Sequence, residues 1–186
     1  MKNSGNQGFD QHFNAQIAVD QPTMLIVSTI LSNHPNDQLE ALPTIDAIDP
    51  KLGKPKRAAL DAGYFSIANV NGFNARQIEP YIATGRLDHH FDLTTLKDPT
   101  PPAADASLKV QMAYKLNTEA GKAIYRLRKC TVEPVFGIIK ETMGFRQFSL
   151  RGITKAAGEW CLVCLAFNLR RLHRLMGEPS LSPTGC

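Results

Sequence analysis

The sequence contains no run approaching eighteen consecutive apolar residues, which excludes a membrane-spanning helix. Its start, MKNSGNQGFDQHF, has a lysine with no apolar stretch behind it, so no secretory signal is expected and the expected location is the cytoplasm. Cysteine is scarce and confined to the last third, at Cys130, Cys161, Cys164 and Cys186. The CLVC pair has metal or redox spacing, but it lies in an apolar helical pattern and has no second ligand pair. Buried thiols of a packed helix are expected instead of zinc or a redox centre. A phosphate-cradling glycine loop and a nucleophilic serine or cysteine arrangement are both lacking, which argues against a hydrolase acting on small substrates.

What is present is a chain of 186 residues, 43% hydrophobic, enough for one core of respectable size. The net charge of +4 hides an asymmetry. Residues 1–121 carry ten Lys/Arg against thirteen Asp/Glu, whereas residues 122–174 carry eleven against three. Positive charge concentrated in so short a stretch points to a polyanionic partner.

Along the chain, HFNAQIAVDQPTMLIVSTIL (12–31) reads as two extended runs around DQPT, an antiparallel hairpin. Asp37 is expected to cap a helix over about 38–48, a reading that Pro43 weakens. A short strand at 57–60 ends at Asp61, Ser66 caps a helix through about 75, and PYIAT (80–84) reads as another strand. The order is that of a mixed α/β fold, in which ligands bind at strand ends. Residues 85–106 lose periodicity and include the linker-like KDPTPPAADAS. Helices are then expected over 107–127, 132–143 (ended by Gly144) and 153–176, with the tail 178–186 frayed.

Two carboxylates stand out. Asp61 emerges where the strand AAL ends, a rigid mounting suited to a divalent-ion ligand, although Asp-Ala-Gly is also a plausible turn. Glu133 follows Thr131, which reads as an N-cap, so an acid favoured by the helix dipole is one account of it. The other account is a metal ligand facing phosphates: Lys140 lies two turns on, Arg126, Arg128 and Lys129 precede it, and Arg146 and Arg151 follow. The last helix carries an apolar stripe of Ala157, Trp160, Cys161, Cys164, Phe167 and Leu172, with Trp160 expected in the core. Arg170, Arg171 and Arg174 gather at its C-terminal end. His89 and His90, beside Asp88 and Asp92, read as an exposed loop rather than a metal site.

Four stretches, QHFNAQIAVD (11–20), ALDAGYFS (59–66), YRLRKCTVEPVFGIIKETMGFRQFSLRG (125–152) and EWCLVCLAFNLRRL (159–172), together resemble the C-terminal part of a bacterial insertion-sequence transposase of the DDE class. The group includes the IS4, IS5 and IS1182 families, with IS1182 the nearest. The resemblance implies an RNase H-like core in which three carboxylates bind two Mg²⁺ or Mn²⁺ ions for hydrolysis and strand transfer at transposon ends. By position, Asp61 matches the second aspartate and Glu133 the catalytic glutamate. Lys140 matches the lysine that contacts end DNA, and Tyr125 with Arg128 or Lys129 matches the upstream Tyr and Arg. Arg146 and Arg151 join the expected DNA-facing set.

The family's first aspartate lies on a strand upstream of the hairpin, and Asp20 matches only the acid at the hairpin turn. The expected fold is therefore a partial RNase H-like one: a mixed sheet without its first, central strand (1–84), a linker (85–106), a helical region (107–177) and a tail (178–186). Its implied partners are duplex DNA at transposon ends and an intact transposase; its place is the bacterial nucleoid. Weak metal binding and impaired activity of this chain alone are expected. A non-catalytic DNA-binding or regulatory remnant is the alternative reading.

Overall fold

The structure, a computed structural model, describes residues 13–85, 101–103 and 105–177. The predicted His89/His90 loop, most of the 85–106 linker and the 178–186 tail lie outside the described residues. Five α-helices and four strands among the described residues make a mixed α/β protein. They fall into two compact units, one within Met1–Leu52 and Lys129–Cys186, the other Gly53–Arg128.

The first unit opens with the expected hairpin, β1 (Asn14–Val19) antiparallel to β2 (Ile26–Ser32). Asp20 closes its turn: the Thr23 backbone N–H and hydroxyl donate to its carboxylate at 3.2 and 2.5 Å, while Met24 takes the left-handed φ of 59°. The helix expected over 38–48 is shorter, a 3₁₀ turn Asp37–Leu39 followed by α1 (Ala41–Asp46). Asn36 caps that turn, not Asp37. The Asp37 carboxylate instead accepts hydrogen bonds from Asn14 at 2.7 Å and from buried Gln16 at 3.0 Å. A buried side-chain amide needs such a partner, and β1 supplies it to Asp37 first.

The second unit is built on a β-α-β run. β3 (Arg57–Leu60) and β4 (Glu79–Ile82) pair in parallel, joined through α2 (Ile67–Ala75). Ser66 caps α2 as expected, its hydroxyl accepting from Asn69 N–H at 3.0 Å. Val70 and Phe73 of α2, Tyr81 and Ile82 of β4 and Met112 of α3 (Leu108–Asn117) are buried within this unit. The strands expected in one mixed sheet thus form two separate pairs among the described residues, one antiparallel and one parallel.

The helix break expected between 127 and 132 falls elsewhere. Helix α4 runs unbroken over Glu119–Gly137, and Thr131, expected as a cap, is buried in its interior. The threonine that caps α4 is Thr118, whose hydroxyl accepts from Gly121 N–H at 3.1 Å and donates to the Lys115 carbonyl at 2.7 Å. Pro134 lies inside α4 and removes one intrahelical bond, a cost of roughly 3 kcal/mol. Burial of Val135 and Ile139 on the face shared with Thr131 offsets it, at about 1.5–3 kcal/mol each. A π-helical turn, Ile138–Thr142, follows, and Gly144 stops it at φ +73°, as expected of that glycine.

Helix α5 (Ile153–Gly177) packs on the hairpin of the first unit. Ala156, Trp160, Cys164 and Phe167 form its inner stripe and join Ile26, Leu31, Val135 and Ile139 in the core. Phe136 stacks on Trp160 with ring centroids 6.1 Å apart, and the Trp160 indole N–H donates to the Gln16 carbonyl at 3.4 Å. Trp160 is core, as expected. Leu172 and Cys161, expected in the apolar stripe, are exposed, because the inner stripe runs through 156, 160, 164 and 167 instead.

Candidate nucleic-acid interface and carboxylate site

Asp61 stands directly after β3, as the sequence predicts, and caps the 3₁₀ turn Ala62–Tyr64. One carboxylate oxygen accepts the Ala62 N–H at 2.8 Å. The other lies 3.6 Å from the guanidinium of Arg128, which is itself largely buried and lies 5.5 Å from the Tyr125 ring. The side chain of Asp61 is 59% exposed, so it sits at an accessible strand end rather than in a closed pocket.

Glu133 is exposed on α4, past the middle of a long helix, so the first-turn account of this acid is overturned. With no helix start beside it, the dipole gives no reason for an acid here, since that effect fades beyond the first turn. Glu133 belongs to the first unit and Asp61 to the second.

The cations follow on the same stretch of chain. Lys129 is exposed one turn before Glu133, and Lys140 is exposed within the π turn, its ammonium 5.8 Å from the Phe136 ring centre. That turn winds more widely than an α-helix, so Lys140 does not keep the strict two-turn alignment with Glu133 expected from sequence. Arg146 is exposed and paired with Glu141, a contact that sequence reasoning missed. Arg151 is exposed beside the loop that Glu159 holds, accepting the N–H groups of Ser149 and Leu150 at 2.9 and 3.0 Å; those bonds keep the Glu159 carboxyl below its ordinary range.

The structure thus brings Asp61 and Arg128 together and sets Glu133, Lys129, Lys140, Arg146 and Arg151 on the other unit. Among the described residues, no group of three or more His, Cys, Asp or Glu side chains is placed to hold a metal ion. Burial pushes the Cys164 thiol up to about 11, so it is a neutral core thiol. Asp61 and Glu133 do offer the hard oxygen donors that Mg²⁺ or Mn²⁺ selects.

Residues 101–173 match a family described as Transposase DDE domain. Over that stretch the chain is similar to the DDE domain of transposases. The match takes in α3, α4, the π turn and most of α5, and with them Glu133, Lys129, Lys140, Arg146 and Arg151; Asp61 lies before it. No curated protein and no solved structure matches the chain. No described helix is long and apolar enough to cross a membrane.

Proposed function

We propose that this chain supplies part of the catalytic core of an insertion-sequence transposase of the IS1182 type. In this reading Asp61 and Glu133 are two of its ion-holding carboxylates, and the basic residues around α4 and the loop after it are its duplex-DNA contacts. The carrying observation is the transposase match over 101–173, which contains an exposed acid, Glu133, in the most basic stretch of the sequence. The hairpin β1–β2 and the β3–α2–β4 run are read as pieces of an RNase H-like core. The mounting of Asp61 at a strand end supports that reading, since such ends carry ligands in α/β sheets.

The reaction is attack on a DNA phosphodiester. Water adds to phosphorus in line with the departing 3′ oxygen, the P–O3′ bond breaks, and the products are a 3′-hydroxyl and a 5′-phosphate. In strand transfer that 3′-hydroxyl attacks a target phosphodiester in the same way. Divalent ions, when bound, would lower the pKa of the attacking water and stabilise the leaving oxygen. The residues of this chain have two tasks: Asp61 and Glu133 supply anionic oxygens at the cleavage site, and Lys140, Arg151, Arg128, Lys129 and Arg146 hold the backbone on either side through its phosphates.

Fluorescence anisotropy with duplex DNA tests the binding half. Affinity should fall with salt, and Lys140→Ala and Arg151→Ala should each lower the slope of log K against log salt by about one. Salt-insensitive binding, or none at low salt, contradicts the proposal. Strong duplex binding by a complex that holds no Mn²⁺ would instead favour a non-catalytic DNA-binding part that joins an intact transposase.

A further inference from the structure

Helix α5 has three unlike sides. Ala156, Trp160, Cys164 and Phe167 form the apolar stripe that faces the core, and Leu162, Leu165, Leu169 and Leu172 form a second, exposed one. A third side carries Glu159 and, three turns on, Arg170, two side chains nearly in line and roughly 16 Å apart along the helix. His173 and Arg174 follow Arg170 at intervals of three and four residues, which puts all three on one surface.

The run from Arg170 to Arg174 divides into a structural arginine and an unused cluster. Arg171 is half-buried and donates to the Thr23 carbonyl on the hairpin at 2.8 Å. Arg170, His173 and Arg174 are exposed, line an open cavity of about 410 Å³ with Leu169, and pair with no carboxylate among the described residues. The sequence has no acid between 160 and 177. The helix dipole accounts for Arg174 in the last turn, but not for Arg170, almost two turns from the end, because the effect fades beyond that turn. Like charges four residues apart repel, and an anion held between them removes that penalty. Two planar guanidinium groups beside an imidazole, which keeps an N–H donor in either protonation state, suit the oxygens of phosphate.

The far end of the same side is basic as well. Glu159 accepts the N–H groups of Ser149 and Leu150 at 2.9 and 3.0 Å and so ties the loop carrying exposed Arg151 to this side of α5. Between the two basic ends stand Val163 and Ala166, short and uncharged. The helix runs roughly 20 Å from Glu159 to the middle of the cluster, the length of about six base-pair steps of a duplex.

We propose, resting on the reading of Lys140 and Arg151 as duplex contacts, that this side of α5 is a second hold on the same duplex. Arg170, His173 and Arg174 grip backbone phosphates about six base pairs from those held at Arg151, so the duplex runs along α5. A free phosphate would fill the cluster alone and would not need the alignment with the Arg151 loop.

Fluorescence anisotropy of the full chain on a duplex of about 20 base pairs, titrated with salt, tests this. Arg170→Gln/Arg174→Gln should lower the slope of log K against log salt by about two, with one duplex bound per chain and with far-ultraviolet dichroism and Trp160 emission unchanged. An unchanged slope overturns the proposal. So does a native chain that binds two duplexes and loses one of them on substitution, since the cluster would then be an anion site of its own. Lys140→Ala separates this hold from the one it rests on: if it lowers the slope while the arginine pair does not, only the second hold fails, whereas absence of any duplex binding overturns both. If the double variant loses its helical signal, a photo-crosslinker at position 173 of the otherwise native chain decides. A link to the duplex supports the hold, and no link overturns it.

Discussion

The guanidinium of Arg128 lies 3.6 Å from the carboxylate of Asp61, while the Ala62 N–H holds the other carboxylate oxygen at 2.8 Å. Both oxygens of this strand-end acid are therefore engaged by the protein itself. A divalent cation reaching Asp61 must compete with Arg128 for the same charge. The pair has one exposed partner, Asp61, and is screened by solvent on that side; such a pair contributes about 1 kcal/mol, so Arg128→Gln should tighten Mn²⁺ binding at Asp61 by about fivefold. Paramagnetic broadening of resonances from residues 58–64 measures it. Weaker broadening in the variant would mean that Arg128 positions the carboxylate for the ion rather than competing with it.

Asn168 clamps a strand. Its side-chain amide donates to the Ile26 carbonyl and accepts the Ile26 N–H, both at 2.8 Å, so α5 satisfies two backbone groups of β2. Asn168→Ala removes both partners and should cost about 2 kcal/mol. Because Trp160 is the single tryptophan and is buried in the same unit, its emission during urea unfolding reports the loss directly. An unchanged midpoint would show that water replaces the amide at no cost.

Gly121 has no room for a side chain. A methyl carbon there would stand 1.9 Å from the Lys115 carbonyl oxygen, which is backbone and cannot swing aside. Gly121→Ala should destabilise the α3–α4 junction by about 1–3 kcal/mol, despite the higher helix propensity of alanine. Hydrogen exchange of the amides from 108 to 128 would rise in the variant. Slower exchange would mean that the junction opens without penalty and that propensity wins.

Glu79 links the second unit to pH. The hydrogen bond from Lys115, 2.9 Å away, holds its carboxyl below the ordinary value of 4.5, assisted by the charge of Lys115 and opposed by partial burial. A depressed carboxylate contributes stability that is complete above 4.5 and is lost as pH falls through the lower folded value. The side chain is 45% exposed, so solvent screens the effect to a small one. Acid unfolding below pH 4.5 should be shallower in Glu79→Gln than in the native chain; identical acid limbs would assign the sensitivity to other carboxylates.

The elements that were legible in the sequence are those with their own punctuation. Strand β3, the position of Asp61 at its end and the Ser66 cap all follow from a short apolar run meeting residues with marked turn or cap chemistry. The hairpin is equally plain, since its turn is closed by Asp20 and Thr23 in sequence-local bonds. The break before Glu133 was misread for the same reason in reverse. Thr131 and Pro134 are strong local signals of a helix start, but the core needs Val135 and Ile139 on a continuous helix, and burial prevails over the proline. Thr118, the true cap, is followed at its third position by glycine instead of the glutamate that completes a capping box. The π turn under Lys140 has no sequence signal of its own. Helix α5 shows the remaining limit: with two apolar stripes, periodicity cannot say which faces the core, and the inner one is chosen by the fit of Trp160 and Phe167 against the hairpin.

Electron paramagnetic resonance of Mn²⁺ titrated into the chain bound to duplex DNA tests the central claim most directly. The account predicts weak binding that requires DNA. It should weaken by about tenfold or more in both Asp61→Asn and Glu133→Gln, with duplex affinity little changed, because each substitution removes an anionic oxygen donor and no phosphate contact. Mn²⁺ binding that survives both substitutions, or none in the native complex, would contradict it.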